Sequence, residues 1–592
     1  MYKYTNYELF LKDFRSGKIN FPVKRLYYTD KQIKTMFNNL KKLKLDDRVY
    51  TKYYNIHNIK INTNNLLFLN QPRLLISKKT DYMDFSLLSD MFQEENRMKC
   101  KFFSAVSSPI DYYNKNIEQL AINTIKHNKI LNPHNLREEL YNSVKECSSF
   151  KCINMIYLVK LFNAKSVLDP SSGWGDRLIA AMSCNIRYVG VDPNVLLHPK
   201  YQEMIKFFAP KNKHKQYTMI NGKIQDVKLP NEKFDMVLTS PPYFKIEKYS
   251  NRGEVLDNNE NEWFKNFMIP MINKTYSKLN NNGKLVLIIN QLSNEHYIQK
   301  MLDYIYINIS DLYYLGVIGY ADVQLKNPQP MWIWQKSHII PEELYNPPVK
   351  ITSHSIRLNN SNINYNVFRD DYLIGGTKQR ALVDLINYVR KNNKNITKFI
   401  YAGPSTGYAQ VALAYCCKLT KTKAVLFLAK PNYINSKGNS HNNRTNLTKY
   451  ALSHNSTELH EIDNGYLKNL AKEAEKYHNN NKHNSYLLSF GGHEKKYMEF
   501  LEKNIKKAMP KNIIKPKRIW IVSGSATILN VLYKIFPKTY FLVVQVGRTI
   551  WGDLIDKSRT TIYISNENFN DVAKEQPPYD TVSPYDAKLW VF

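Results

Sequence analysis

Short hydrophobic runs alternate with polar, helix-forming segments from about residue 150 to residue 335. Helical spacing lies between the runs, and this alternation is typical of strand–helix–strand units in an open sheet. The pattern predicts an α/β domain with a doubly wound parallel sheet. Its strands are predicted at Ser166–Asp169, Arg187–Asp192, Phe234–Thr239, Lys284–Asn290 and Met331–Trp334.

A second alternating series occupies the C-terminal part of the chain, and the polar, proline-containing stretch 337–348 before it predicts a linker. The asparagine-rich stretch 431–447 and the His/Asn/Lys stretch 478–484 predict loops. We therefore expect a basic N-terminal region at 1–140, an α/β domain at 141–340 and a second α/β domain at 350–592. The second domain's strands are predicted at Lys398–Ala402, Ala424–Leu428, Arg518–Ser523 and Tyr540–Val546.

The N-terminal region is rich in lysine and asparagine and contains one well-defined helical pattern, Ser86–Arg97. Ser89 or Asp90 is the candidate cap of this helix. Its charged residues could serve a site or form a solvated helix face, and we favour the solvated face. By elimination, the N-terminal region is the candidate for target recognition.

The charge balance indicates a polyanionic partner. Lysine and arginine number 84 against 51 aspartates and glutamates, so the formal net charge of the 592 residues is +33. Such an excess favours nucleic acid through counterion release. The alternative is the coding bias of an AT-rich genome, which enriches lysine, asparagine, isoleucine and tyrosine without any nucleic acid being bound. The motifs described next favour the nucleic-acid interpretation.

Composition also bears on the compartment. No run of about eighteen apolar residues occurs, which argues against a membrane span, and the N-terminus lacks the apolar core of a signal peptide. The six cysteines form no CxxC pair, so neither a metal site nor a disulfide framework is predicted. We expect a reducing, intracellular and cytoplasmic location.

Three polar features stand at the ends of predicted strands. The turn Asp169-Pro170-Ser171-Ser172-Gly173-Trp174-Gly175 follows the first strand, and its glycines allow a ligand to approach the backbone and the next helix N-terminus. Asp192 ends the second strand with a carboxylate that can accept hydrogen bonds from ribose hydroxyls. Ser240-Pro241-Pro242-Tyr243 ends the strand Phe234–Thr239.

In this order the three features resemble the amino-methyltransferases, the class that methylates adenine N6 or cytosine N4 in DNA. The resemblance covers about residues 150–335 and implies S-adenosylmethionine as the cofactor. It places the amino-acid end of the cofactor at the glycine turn, its ribose at Asp192 and its adenine at Asp226. The implied cofactor residues are Asp169, Pro170, Gly173, Gly175, Asp192 and Asp226.

The catalytic tetrapeptide suggests a mechanism. An exocyclic amine is a poor nucleophile because its lone pair is delocalised into the ring. The Ser240 hydroxyl and the Pro241 carbonyl could accept its two N–H bonds and aim the lone pair at the methyl group. Pro242 fixes φ and removes a competing donor, and Tyr243, with Phe244 as a further candidate, would stack on a base rotated out of the duplex.

Several alternatives stay open at this tetrapeptide. An ordinary proline turn is the simplest of them. Protein glutamine and RNA also present planar amino groups, but related enzymes acting on them usually carry asparagine in place of Ser240, so serine and the charge favour DNA. The order of the motifs matches adenine-type enzymes, whereas serine is frequent among cytosine-N4 enzymes, so the target base is open.

The C-terminal domain carries three further motifs: Arg369-Asp370-Asp371 with Gly375-Gly376-Thr377-Lys378, then Gly403–Gly407, then Ser523–Thr527. They resemble the tryptophan-synthase-β-like (fold type II) pyridoxal-phosphate enzymes, in particular the cysteine desulfhydrase and aminocyclopropane-carboxylate deaminase branch. The resemblance implies that Lys378 carries the pyridoxal imine and that Ser405 and Thr406 hold the substrate carboxylate. The phosphate would lie against Gly524, Ser525 and Thr527.

This second resemblance has departures. Tyr408 stands where the family has an asparagine, and the domain is shorter than a complete enzyme of this fold. A working pyridoxal site and a retained fold with altered or lost chemistry are therefore both open.

The sequence as a whole predicts a DNA amino-methyltransferase fused to a pyridoxal-enzyme-like domain. The alternatives are a pyridoxal-dependent amino-acid lyase or deaminase, a base-hypermodification enzyme, and a non-catalytic DNA-binding scaffold. Such a fusion would suit a DNA virus or mobile element, acting in the host cytoplasm or a viral factory. Oligomeric state is left open.

Overall fold

The chain divides into two compact units, Met1–Ile339 (unit 1) and Ile340–Phe592 (unit 2). The structure is a computed structural model, and the stretch 431–447, predicted as a loop, lies outside the residues it describes. Those residues are 2–45, 49–51, 67–69, 71–77, 85–102, 105–128, 130–242, 244, 247–248, 259–291, 295–322, 328–358, 361–404, 407–429, 455–463, 466–511, 513, 515–547, 550, 552–567, 572–579, 581 and 585–592.

Unit 1 contains eleven described α-helices. The α9 and α10 helices are joined by the π-helical turn Phe264–Met268. The helices are α1 (Tyr7–Arg15), α2 (Asp30–Lys41), α3 (Leu87–Met98), α4 (Pro109–Asn128), α5 (Pro133–Ser143), α6 (Cys152–Phe162), α7 (Asp176–Cys184), α8 (His198–Phe208), α9 (Glu260–Trp263), α10 (Ile269–Tyr276) and α11 (Tyr297–Asn308).

Twelve strands are described in unit 1. They are β1 (Val49–Thr51), β2 (Leu67–Phe68), β3 (Gln71–Ser77), β4 (Lys101–Phe102), β5 (Ser166–Asp169), β6 (Arg187–Asp192), β7 (Tyr217–Asn221), β8 (Phe234–Thr239), β9 (Glu247–Lys248), β10 (Leu279–Ile288), β11 (Leu312–Asp322) and β12 (Gln329–Lys336).

Ten of these strands form one sheet in the order β1-β3-β2-β11-β12-β10-β8-β5-β6-β7, in which β3 also pairs with β11. The strands β5, β6, β7, β8 and β10 are parallel to one another. Chain order reverses direction at β5, with β6 and β7 on one side and β8 and β10 on the other. Ligands of doubly wound sheets bind at such a reversal, beyond the carboxyl ends of the strands.

The expected parallel sheet is mixed, because β12 runs antiparallel to both β10 and β11. A parallel crossover needs a dozen or more residues, whereas an antiparallel pair can be joined by a short turn. The connection from Asp322 to Gln329 is too short for a crossover. The strand predicted at Met331–Trp334 is therefore present, but the parallel direction predicted for it was wrong.

The central strands are mostly apolar because helices cover both faces of a parallel sheet. Four residues of β8 in succession, from Met236 to Thr239, are buried, and β5 buries its last three residues. The main core of unit 1 surrounds these strands and includes Trp263, Trp334 and Tyr297. The apolar runs read from the sequence are thus the interior of the sheet.

The N-terminal region is continuous with this sheet. Its strand β3 lies parallel to β11, with Leu74 opposite Gly319, and β2 meets β11 at Gly316. At Gly316 the backbone φ is +118°, and a Cβ there would stand 1.9 Å from the Leu67 carbonyl oxygen. Only glycine permits this close approach of the two strands.

The helix predicted at Ser86–Arg97 is present as α3, and it begins after Ser86 rather than at a Ser89 or Asp90 cap. Asp90, Glu94 and Arg97 are 4%, 1% and 2% exposed, so the favoured solvated helix face was wrong. Arg97 pairs with Asp90 at 2.9 Å, and Glu94 pairs with Arg137. Buried charges need such partners, and these pairs explain how a charged helix packs inside the unit.

Unit 2 contains two parallel sheets and one antiparallel hairpin. The hairpin pairs β13 with β14, one sheet has the order β17-β16-β15-β18, and the other has the order β19-β20-β21. The strands are β13 (Ile351–Leu358), β14 (Ser361–Phe368), β15 (Lys398–Gly403), β16 (Lys423–Ala429), β17 (Thr457–Ile462), β18 (Ser485–Leu487), β19 (Arg518–Ser523), β20 (Tyr540–Gln545) and β21 (Thr560–Ile564).

The α-helices described in unit 2 are α12 (Gln379–Asn392), α13 (Tyr408–Thr420), α14 (Leu467–Asn480), α15 (Lys495–Ala508) and α16 (Thr527–Ile535). The four strands predicted from the second hydrophobic series are all present, two in each parallel sheet. The stretch 478–484, predicted as a loop, begins inside α14, because His478 and its two neighbours continue that helix.

The stretch 337–348, predicted as a linker, is in its second half part of the unit 2 core. Leu344 and Asn346 are buried, and the Arg380 guanidinium donates to the Asn346 side-chain oxygen at 2.7 Å and the Pro347 carbonyl at 2.8 Å. Arg380, 1% exposed, also pairs with Asp370 at 2.7 Å. Pro347 therefore lies against a buried cation rather than in an open connection.

Two further features concern the described part of the chain. All six cysteines are free thiols. Among the described residues, no helix combines the length and the apolar character that crossing a membrane requires.

The close approach at Gly316 yields the first prediction. We expect Gly316→Val to destabilise unit 1 by about 2–4 kcal/mol, because the strands must separate to admit the side chain. Gly17→Ala is the matched control: its φ is also positive, +76°, but nothing lies within 4 Å of a Cβ there. That change should cost about 1 kcal/mol. Thermal unfolding measures both, and equal losses would contradict the steric explanation.

Candidate active site

The carboxyl ends of the parallel strands bring the predicted unit 1 residues to one edge of the sheet. Asp169 ends β5, Asp192 ends β6 and Ser240 follows β8. Because β5 lies between β6 and β8, the glycine turn that follows it stands between the Asp192 loop and Ser240. The three features recognised in the sequence therefore lie at the same edge of the sheet, at the ends of neighbouring strands.

The turn after β5 has the geometry expected of a ligand-binding loop. Gly173 and Gly175 have φ values of +58° and +89°, which favour glycine. A Cβ on Gly173 would meet nothing within 4 Å, whereas a Cβ on Gly175 would stand 2.8 Å from the Met204 sulfur of α8. Gly173 thus faces open space and Gly175 packs against the protein. The α7 helix begins directly after the turn and offers its N-terminal N–H groups to a ligand.

The hydrogen bonds of Asp169 stabilise the turn itself. Its carboxylate has no exposed surface and accepts hydrogen bonds from Arg177 Nε at 2.6 Å, the Tyr188 hydroxyl at 2.6 Å and the Ser171 N–H at 3.2 Å. Arg177 also donates to the Ser171 carbonyl. These bonds hold the turn between strand and helix. Contact of Asp169 and Pro170 with a cofactor stays a prediction.

Asp192 ties the second loop to the turn. Its carboxylate accepts one hydrogen bond from the Gly173 N–H at 2.8 Å and another from the Asn194 N–H at 2.9 Å. Each oxygen keeps a further lone pair. Burial raises the pKa of Asp192 to about 6, an effect that the two N–H donors oppose. Its carbonyl oxygen lies 2.9 Å from His198 Nε2.

Asp226 occupies the loop after β7, on the same side of the sheet. Its side chain is exposed, and its N–H donates to the Lys223 carbonyl at 3.0 Å. The adjacent Ile224 is buried and fixes the loop to the core. Asp226 is thus present at the carboxyl edge, and its contact with an adenine ring stays a prediction.

The tetrapeptide Ser240–Tyr243, predicted to be catalytic, is described for three of its four residues. Ser240 and Pro242 are half-buried and Pro241 is buried, while Tyr243 lies outside the described residues. Phe244 is 7% exposed and packs against Trp263 at 6.0 Å between ring centroids. Phe244 therefore belongs to the core, and the expectation that it stacks on a base was wrong.

Sequence reasoning missed several residues around this site. Asp176, the first residue of α7, is 1% exposed, and burial raises the pKa of its carboxyl to about 6. Its Oδ1 accepts a 2.6 Å hydrogen bond from Ser89, a residue of α3. Arg177 and Tyr188, which hold Asp169, were also not singled out. Arg177 and Asp176 adjoin the glycine motif, but nothing in the sequence connects Ser89 to it.

Unit 2 brings two of its three predicted motifs to one region. The Lys378 carbonyl accepts a 3.1 Å hydrogen bond from Tyr497, and a Cβ on Gly492 would stand 2.7 Å from the Tyr497 ring. The neighbouring Gly491 approaches Ser525 of the strand-to-helix turn, where its Cβ would lie 2.6 Å from the serine Cβ. Gly491 and Gly492 therefore link Lys378 to the turn at 523–527.

The groups of that turn are partly engaged within the protein. Thr527 Oγ1 donates to the Gly491 carbonyl at 2.7 Å, and the Ala526 N–H donates to Ser523 Oγ at 3.1 Å. The Gly524 N–H lies against the Tyr585 hydroxyl. Ser405 and Thr406 lie outside the described residues.

Lys378 is a half-buried amine, and its role as the imine-forming lysine stays a prediction. Burial lowers the pKa of its ammonium group, an effect that the nearby Asp586 carboxylate opposes. The Arg369-Asp370-Asp371 motif before it is structural, since Arg369 pairs with Asp371 at 2.8 Å and Asp370 pairs with Arg380. The amine thus stands on a rigid support.

Comparisons with known proteins give likeness of fold alone. No protein-family model and no curated protein matches the chain. Among solved structures, an ACC deaminase homologue is 17% identical, with 39% of this chain and 76% of that chain covered and a TM-score of 0.31. A putative O-methyltransferase from Klebsiella pneumoniae is 9% identical, with 33% and 82% covered and a TM-score of 0.23. A putative methylase from Haemophilus influenzae is 11% identical, with 33% and 94% covered and a TM-score of 0.22.

The strand order on its own defines the fold class. Counted from β5, the sheet of unit 1 has the order 3-2-1-4-5-7-6 with an antiparallel seventh strand, a doubly wound, Rossmann-like arrangement. Unit 2 is a second α/β domain with two parallel sheets. The expected α/β fold class is confirmed for both units.

The pKa of Asp192 yields a prediction for unit 1. A carboxyl whose pKa is raised on folding stabilises the fold below its unfolded pKa, and this contribution is lost as pH rises through about 6. Ribose hydroxyls need the ionised carboxylate as acceptor, so affinity should change in the opposite direction. We expect S-adenosylmethionine to bind up to about tenfold more weakly for each pH unit below 6. Calorimetry between pH 5 and 8 measures this on the assumption that unit 1 binds the cofactor.

Two variants show which carboxyl group causes the pH dependence of cofactor binding. Asp192→Asn should bind weakly at every pH, with most of the pH dependence removed. Asp176→Asn is the matched control, because Asp176 titrates in the same range but lies on the α3 side of the turn. It should keep the pH dependence that Asp192 causes, and a flat profile in this variant alone would contradict the role given to Asp192.

Proposed function

We propose that unit 1 transfers a methyl group from S-adenosylmethionine to the exocyclic amino group of a DNA base, adenine N6 or cytosine N4. One observation carries this proposal. Ser240, Pro241 and Pro242 stand at the carboxyl end of β8, beside the glycine turn after β5. A donor-binding turn and an amine-accepting tetrapeptide at neighbouring strand ends are the two halves of a methyl-transfer site.

The residues around the turn fit the proposed cofactor. Gly173 leaves open space where a Cβ would otherwise stand, and the first N–H groups of α7 face a ligand above it. Asp192 keeps acceptor capacity for two ribose hydroxyls after its bonds to Gly173 and Asn194. When bound, S-adenosylmethionine supplies an electrophilic methyl group.

The chain's own groups orient the acceptor. Ser240 Oγ and the Pro241 carbonyl accept hydrogen bonds from the amino group and turn its lone pair out of conjugation. Pro242 limits the backbone to one φ range, so these two acceptors stay at a fixed spacing. No strong general base is required, because the amine loses its proton after the methyl group has been transferred.

Two features support DNA as the acceptor. The first is the formal charge of +33. The second is a set of exposed lysines on α2, on α8 and on the 3₁₀ turn Lys211–Gln216. The helices α2 and α8 contact each other through Phe37 and Phe208 at 4.6 Å. The exposed lysines include Lys31, Lys34, Lys41, Lys206, Lys211 and Lys215. Exposed lysines of this kind suit the phosphate backbone.

Transfer of labelled methyl groups tests the proposal. With unmodified DNA, RNA and protein offered in parallel, we expect label in DNA. We expect Ser240→Ala to lower the rate about 10²-fold or more, because a group that aligns the reacting nitrogen in the transition state is lost. Ser277→Ala, at an exposed serine of the same unit, is the control and should keep the wild-type rate.

Other outcomes would contradict parts of the proposal. Label only in RNA or protein would show that the acceptor is not DNA. Equal rates for Ser240→Ala and Ser277→Ala would exclude the catalytic role of the tetrapeptide. No label in any acceptor would contradict methyl transfer to unmodified DNA and favour a base already modified, or a scaffold without catalysis.

A second candidate function belongs to unit 2. Lys378 is an amine with a lowered pKa close to a strand-to-helix turn, which favours binding of pyridoxal phosphate. Lys378 would hold the carbonyl carbon of that cofactor, and the N–H groups at the start of α16 would face its phosphate. This candidate makes unit 2 an amino-acid lyase or deaminase, or the second enzyme of a base modification.

Covalent trapping distinguishes this candidate from a fold that has lost its chemistry. After incubation with pyridoxal phosphate and borohydride reduction, we expect the added mass on the peptide that contains Lys378. Lys378→Ala should lose the label, and Lys495→Ala, at an exposed lysine, should keep it. Label spread over many surface lysines would contradict a built site.

A further inference from the structure

We propose that the N-terminal segment Ser86–Phe102, called the brace segment below, is a positioning element of the unit 1 site. Ser89 and Gln93 of this segment fix the two loops that are proposed to hold the cofactor. Its strand β4 pairs with β9, the strand that follows the tetrapeptide Ser240–Tyr243. This inference rests on the proposed function for its consequence in binding, although the contacts themselves do not depend on it.

The first contact is with the glycine turn. Ser89 has no exposed surface, and its hydroxyl donates to Asp176 Oδ1 at 2.6 Å. Asp176 is the first residue of α7, directly after Gly175. On the other side of Asp176, the Cys152 thiol donates to its carbonyl at 3.3 Å. The point where the turn becomes a helix is thus held from α3 and from α6.

The second contact is with the loop that follows Asp192. Gln93, also without exposed surface, donates from Nε2 to the Leu197 carbonyl at 3.0 Å. Asn96 donates to the Leu196 carbonyl at 3.3 Å and to Gln93 Oε1 at 2.8 Å. Because His198 contacts the Asp192 carbonyl, these bonds fix the loop on which the ribose carboxylate stands.

The third contact is with the chain after the tetrapeptide. Directly beyond α3, the strand β4 pairs antiparallel with β9, so that Phe102 lies opposite Glu247 and Lys101 opposite Lys248. The strand β9 follows Ser240 by only a few residues. One continuous segment of seventeen residues therefore reaches the glycine turn, the Asp192 loop and the strand β9 that follows the tetrapeptide.

The brace segment is itself rigidly anchored, which is what a positioning element needs. Arg97 Nη1 donates to Glu146 at 2.7 Å and to the Cys147 carbonyl at 2.9 Å, in addition to its paired bonds to Asp90. The next residue, Ser148, accepts a hydrogen bond from the Trp174 indole at 3.3 Å. Arg97 thus supports the glycine turn by an additional route, through the chain at 146–148.

Hydrogen exchange of the full-length, cofactor-free protein tests the brace. We expect Ser89→Ala to speed exchange in peptides covering Gly175 to Leu178, and Gln93→Met, which keeps the volume but removes the donor, to speed it at Leu196 to Lys200. Glu95→Ala is the matched control, because Glu95 lies exposed on the same helix and pairs only with Lys99 among the ion pairs described. Glu95→Ala should leave the exchange rate of both peptides unchanged.

Cofactor binding tests the consequence. We expect Ser89→Ala and Gln93→Met to raise the Kd and the KM for S-adenosylmethionine about three- to tenfold with a smaller effect on kcat, since each loses one buried hydrogen bond. Ser89→Thr keeps the hydroxyl and should restore the affinity. A merely structural role would instead lower the thermal stability in every variant without this selective effect on KM or the rescue.

The outcomes separate the brace from the proposed function. Wild-type protein that does not bind S-adenosylmethionine would contradict the proposed function, while the exchange experiment would still decide whether the brace exists. Unchanged exchange at both loops, or exchange raised equally by Glu95→Ala, would overturn the brace. If Gln93→Met fails to fold, Ser89→Ala with its Ser89→Thr counterpart decides the same question.

Discussion

The unit 1 site depends on one buried ion pair, between Asp169 at the end of β5 and Arg177 in the first turn of α7. A carboxylate without exposed surface at the carboxyl edge of a sheet is costly, and removing one partner of such a pair costs about 3–5 kcal/mol. The pair bridges strand and helix across the glycine turn, with Tyr188 as a further donor. The pair therefore fixes the shape of the turn. The sequence motif assigned the same carboxylate to the cofactor, and that contact stays a prediction beside this structural role.

Local pattern predicted the central strands well because burial on both faces of a sheet leaves a direct mark on the sequence. The bounds of β5, β6 and β8 match the apolar runs, and the two motifs at their ends fall in one site because parallel strands end together. Strand direction was less accessible: the antiparallel β12 carries the same apolar signal as its parallel neighbours. The linker expected at 337–348 failed for a different reason. Its prolines and polar residues are typical of a connection, but a single buried cation, Arg380, gives those polar groups partners inside the core.

The charged residues of α3 show most clearly what the sequence could not predict. Asp90, Glu94 and Arg97 at helical spacing have the composition of a solvated face, and nothing local reveals that their partners are Lys24, Arg137 and Glu146. Such pairs join residues that are distant in the chain, and their cancellation of charge depends on the tertiary fold. For the same reason Ser89 and Gln93 could not be recognised, since one hydroxyl and one amide carry no motif. What the sequence could show was chemistry concentrated in a few consecutive residues, as in the turn at 169–175 and the tetrapeptide at 240.

The pairing of β3 with β11 has a consequence for the order in which the chain folds. The strands β1 and β2 pair locally with β3, but Leu74 of β3 lies opposite Gly319, so the pairing with β11 forms only after nearly the whole unit has been synthesised. Contacts between such distant residues are slow to form, because the intervening chain must be closed before the pairing is rewarded. Until β11 has been synthesised, the edge of β2 and β3 that it covers stays open, and an open strand edge favours aggregation. The sheet of unit 1 is therefore completed late in synthesis.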